Sequence, residues 1–116
     1  MGLDSYFKVK KYEDVTFSED INLCGGMFNN NGYDGSFRGK VYAQLIEAAS
    51  NISIYEGELN HNAVCEISAG LNNFDFDTWN ATGANTWEIP KQQFEDLKKL
   101  FSEAAAIEDT VLLGWW

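Results

Sequence analysis

The chain has 116 residues, enough to bury one core without a disulfide or metal staple and too few to require a second domain. Hydrophobic residues at 45% and aromatics at 15% exclude a disordered chain. Eighteen Asp and Glu against eight Lys and Arg give a formal charge of -10, which disfavours direct nucleic-acid contact and anionic membrane surfaces.

At the start, Leu3, Ser5, Phe7 and Val9 alternate with Asp4, Tyr6, Lys8 and Lys10, the period of a half-buried strand. Val15 and Phe17 suggest a second short strand, closed by a turn at Ser18-Glu19-Asp20. Ile21 and Leu23 lead into a glycine- and asparagine-rich loop. From Gly39 or Lys40 the period changes: Val41, Tyr42, Leu45, Ile46 and Ala49 mark one face of a three-turn helix that stops at Asn51. Ile52 to Tyr55 reads as a link or short strand. Val64, Ile67 and Leu71 predict a short helix, capped by Asn60 or Asn62 and ended by Gly70 or Asn72-Asn73. Phe74, Phe76 and Trp79 among Asp75 and Asp77 read as a loop pinned by aromatics. Pro90 suits the first position of the clearest helix, whose buried face is Phe94, Leu97, Leu100, Phe101 and Ala104, with Glu95 and Lys99 paired on the other side. VLLGWW closes the chain as a strand or an apolar tail that packs on the core or on a second copy, a possible homodimer. The fold expected is α+β: a single small domain over residues 1–116, with a short antiparallel sheet packed with two or three helices.

Five of the ten glycines fall between Leu23 and Tyr42, and between Ile21 and Ile46 Asp34 is the sole acid beside Arg38 and Lys40. A glycine-rich loop entering a helix exposes free backbone N–H groups at a positive dipole end, which suits an anion. The candidate ligand-binding residues are Gly25, Gly26, Asn30, Asn31, Gly35, Ser36, Phe37, Arg38, Gly39 and Lys40. Arg38 would grip phosphate oxygens in a fork, Lys40 would act as a point charge, and Phe37, Tyr33 and Trp79 are candidates to stack on a base. The competing reading is a structural turn in which Arg38 pairs with a surplus carboxylate. The segment is not a Walker A loop, since Gly35 and Gly39 enclose three residues instead of four and Val41 stands where Ser or Thr would hold magnesium.

No other motif carries chemistry. Neither Asn30 to Val41 nor Asn73 to Ala84 ends in the Glu of a calcium loop. Cys24 and Cys65 match no metal-ligand spacing and read as buried free thiols; His61 reads as a surface or capping residue with no nucleophile nearby. No catalytic residue, metal ligand or cofactor is assigned. With no apolar N-terminal segment and no membrane-length span, the expectation is a cytoplasmic protein without membrane contact.

The opening Met1-Gly2-Leu3-Asp4-Ser5-Tyr6, LCGGM at Leu23 to Met27, SFRGKVY at Ser36 to Tyr42 and the final Gly114-Trp115-Trp116 together resemble a family of small bacteriophage-encoded proteins. The resemblance implies a setting, the cytoplasm of a bacterial host and the evasion or inhibition of host machinery, and brings no catalytic residue with it. Two functions are expected to compete. One is a binding protein for a phosphorylated small molecule, a nucleotide or cyclic nucleotide signal, held at the loop and helix start. The other is an acidic inhibitor or nucleic-acid mimic that binds a host protein, for which the warrant is the interval from Val41 to Pro90 without a single Lys or Arg.

Overall fold

The computed structural model describes residues 4–10, 13–14, 17, 21, 23, 36–83 and 85–115. The N-terminal alternation forms strand β1 (Asp4–Val9), with Ser5 and Phe7 on the buried face. The last residues form strand β4 (Thr110–Trp115), and the two pair antiparallel along their whole length, from Asp4 with Trp115 to Val9 with Thr110. Two-residue strands flank them: β2 (Glu13–Asp14) on β1 and β3 (Glu58–Leu59) on β4, in the sheet order β2-β1-β4-β3. All pairings are antiparallel. The register puts Phe7, Leu112 and Leu59 in one row on the core side and Tyr6, Leu113 and Glu58 in a row on the other, where Tyr6 and Leu113 are half-buried.

Among the described residues four helices supply the rest: α1 (Gly39–Ser50), α2 (His61–Asn72), α3 (Phe76–Ala81) and α4 (Lys91–Ala106). The α+β architecture is the one the sequence predicts, with a larger helical share. In α1, Val41, Tyr42, Leu45 and Ile46 are buried, and Asn51 ends the helix in the left-handed region at φ 62°, its N–H donating to the Glu47 carbonyl. Asn60 caps α2 by accepting from the Ala63 N–H at 2.9 Å. Gly70 lies inside α2 rather than ending it, because the helices touch there: a Cβ at Gly70 would sit 2.4 Å from the Ala49 carbonyl oxygen. Tyr42 of α1 donates to Gln93 of α4 at 2.7 Å. At the centre, the Phe7 ring packs on Phe17 at 5.4 Å and edge-on to Phe101 at 5.3 Å.

Three local expectations are resolved. Ile54–Glu56 is a 3-10 turn, not a strand, because Ser53 caps it through the Tyr55 N–H. The segment read as a loop holds α3, capped by Asp75 and pinned where Phe76 stacks on Phe94 at 4.6 Å. Pro90 is the N-cap of α4, one position before the first helical residue. Glu95 pairs with Lys98 at 3.0 Å, and Lys99 is engaged as well. Trp116 lies outside the described residues. None of the described helices is long and apolar enough to cross a membrane.

Candidate functional site

The start of α1 is positioned by a bridge to the edge of β1. Ser5 and Phe37 exchange both backbone hydrogen bonds at 2.9 Å, on the edge of β1 opposite β4. Alternation then decides which way each neighbour points. Phe37 enters the core with no exposed surface, against Tyr42 and Phe101, so it has no free ring face for a base. Ser36 is equally buried. Arg38 turns out to Asp4, Nε to Oδ1 at 2.7 Å, where the side chains remain 35% and 20% exposed; it therefore sits on a carboxylate. Lys40 lies over the Trp87 ring at 5.1 Å, the range of a cation–π contact. Gly39 and Lys40 begin a helix with neither a side-chain cap nor an acid in its first turn. Gly25, Gly26, Asn30, Asn31 and Gly35 lie outside the described residues, as does Tyr33.

The interval without Lys or Arg folds into α1, the 3-10 turn, β3, α2 and α3, and its seven carboxylates are all exposed: Glu47, Glu56, Glu58, Glu66, Asp75, Asp77 and Glu88. Asp75 and Asp77 both have local work. Asp75 caps α3, accepting from the Thr78 hydroxyl at 2.7 Å and its N–H at 3.1 Å, and these bonds hold its carboxyl below the ordinary 3.8. Asp77 pairs with Lys91 at 3.0 Å. Glu47, in contrast, stands in the last turn of α1, where no basic residue opposes the negative end of the helix dipole. Glu66 is exposed on α2, one turn before the Gly70 that meets the end of α1. Beside Glu47 is an open depression of about 320 Å³ lined by Gln44, Glu47, Ala48, Asn51 and Trp79.

A third group of residues is brought together at the start of α2. His61 and Cys65 stand four residues apart, so they share a face, and Sγ lies 3.4 Å from Nε2. The other ring nitrogen, Nδ1, is 2.9 Å from the backbone carbonyl of Thr110 in β4. A carbonyl only accepts, so Nδ1 carries the hydrogen and Nε2 presents its lone pair to the thiol. Cys65 is free and half-buried rather than fully buried, and His61 is neither a cap nor a bare surface residue. The spacing was available in the sequence; the carbonyl that fixes the ring is 49 residues away. Cys24 lies outside the described residues.

No protein-family model matches the chain, and the curated proteins and solved structures yield no significant match. The chemistry of these three places is thus what bears on function. Among the described residues no group of three or more His, Cys, Asp and Glu side chains is placed to hold a metal ion.

Proposed function

We propose that this chain is a small binding protein that docks through its acidic face onto a basic partner protein, the inhibitor-like reading of the cation-free interval. The observation that carries it is the depression where Glu47 and Trp79 meet. A Lys or Arg side chain entering there lays its stem on the indole and its charge beside the carboxylate. The end of α1 adds its own negative potential, and Glu56, Glu58 and Glu66 extend the face along the next elements of the chain. In the setting implied by the bacteriophage resemblance, the partner is a basic host protein, and the acidic face stands in for nucleic acid. The test is a calorimetric titration with an Arg-rich peptide. The native chain is expected to bind with an affinity that falls with salt, and Glu47→Gln to weaken it about tenfold. Equal affinity of both chains would remove the depression from the reading.

A second reading, a phosphorylated small molecule such as a nucleotide or cyclic nucleotide at the start of α1, is favoured by the uncapped first turn with Lys40 on it. Because Arg38 is engaged with Asp4, Lys40 is the side chain to test. A nucleotide at a hundredfold over its dissociation constant should stabilise the native chain by about 2.7 kcal/mol, and Lys40→Gln by much less. No thermal shift with any nucleotide would leave the docking reading alone.

A further inference from the structure

We propose that Cys65 is a nucleophile assisted by His61, and that its substrates are small disulfides without negative charge. The arrangement has the three members such a nucleophile needs: the thiol, a base 3.4 Å away, and a group that orients the base from behind, the Thr110 carbonyl at 2.9 Å. The orienting group belongs to β4, so the ring is fixed by the packing of α2 on the sheet and not by the helix alone. Thr110 is itself buried, its hydroxyl donating to the Ile107 carbonyl at 2.8 Å, which keeps that carbonyl in place. Cys65 and His61 are both half-buried rather than sealed in the core.

The surroundings select the reaction. Acyl transfer develops charge on oxygen and needs N–H donors aimed at it. Cys65 is the fifth residue of α2, beyond its free first-turn amides, and the two amides before it are taken: Ala63 by the Asn60 side chain and Val64 by the Asn60 carbonyl. Thiol–disulfide exchange keeps its charge on sulfur and needs no such donors. In this step Sγ attacks one sulfur of the disulfide as the Cys65 proton passes to Nε2. The new Sγ–S bond forms, the substrate S–S bond breaks, and the departing thiolate takes the proton back from the imidazolium. The products are a mixed disulfide on Cys65 and one free small thiol. With Glu66 adjacent, no Lys or Arg from residue 41 to 90 and a chain charge of -10, an anionic disulfide is repelled while a neutral or cationic one is not.

The experiment follows the reaction of the native chain with cystamine and with glutathione disulfide, mapping the modified cysteine by mass spectrometry to separate Cys65 from Cys24. Cys65 is expected to react faster in the folded chain than in the chain unfolded in urea, and faster with cystamine than with glutathione disulfide. Half-burial alone would slow it, so a slower folded rate overturns the proposal. His61→Gln removes the base and should slow Cys65 roughly a hundredfold. An unchanged rate in a folded His61→Gln chain also overturns it; should that variant fail to fold, the folded-against-unfolded comparison of the native chain decides. Equal rates for the two disulfides would overturn the charge selection.

Discussion

Arg38, the chain's one arginine, is held by Asp4 through the neighbouring bridge between Ser5 and Phe37, so its loss is felt first as stability. Arg38→Ala leaves a mostly buried carboxylate without its cation and should cost about 1–2 kcal/mol in a urea melt, discounted for the water that still reaches the pair. A variant as stable as the native chain would mean that the pair contributes nothing. Gly70 makes a sharper case, since two effects oppose each other. Replacing it with Ala adds helix propensity worth about 1 kcal/mol, but the new Cβ meets the Ala49 carbonyl, and backbone cannot step aside as a side chain can. Gly70→Ala should therefore destabilise by about 1–3 kcal/mol; a gain in stability would show that the α1–α2 crossing can open. Asp75 carries a pH dependence with a definite sign. Its hydrogen bonds from Thr78 lower the folded value below 3.8, so the cap's contribution is full above that value and is lost as pH falls through the lower, folded one. An NMR titration should find the Asp75 midpoint below 3.8 with the Thr78 amide shift following it, and Asp75→Asn should abolish that dependence while keeping a cap.

At the scale of the element, α1 and α4 were legible because each repeats an apolar face over three or more turns, which no strand can satisfy. The six residues of α3 were not, since Phe76-Asp77-Thr78-Trp79 offers too short a period. Its helix depends on the Asp75 cap and on rings supplied from outside, Phe94 stacked on Phe76 and Phe74 at 5.9 Å from Trp79. Likewise β3 exists only through its partner β4, and two residues carry no alternation to read. The candidate sites divide in the same way. The cation-free interval could be counted in the sequence, whereas the depression lined by both Glu47 of α1 and Trp79 of α3 could not, because it needs both helices in place. The charge at the end of α1 also separates stability from binding. Glu47 opposes the helix dipole in the free chain, so Glu47→Gln should raise stability by about 0.3–1 kcal/mol while weakening the peptide complex. A variant that loses stability and affinity together would point to a structural role for Glu47.

At the scale of the molecule, the first and last described strands are the central pair of the sheet, and the seven carboxylates of the cation-free interval lie exposed outside that pairing. A net charge of -10 repels itself in the free protein and attracts a basic partner in the complex, and salt screens both. The two effects have opposite sign. Raising salt from about 0.01 M to about 0.1 M shortens the screening length from about 30 Å to about 10 Å, so self-repulsion between distant carboxylates should fade and the melting temperature of the free chain should rise. Over the same range the Arg-rich peptide should bind more weakly, chiefly through slower association, as expected when the field of a whole face steers the encounter. The paired experiment is a melting series and a stopped-flow association series in the same buffers. A rising melting temperature with a salt-independent association rate would mean that the carboxylates only charge the surface and do not guide a partner to it.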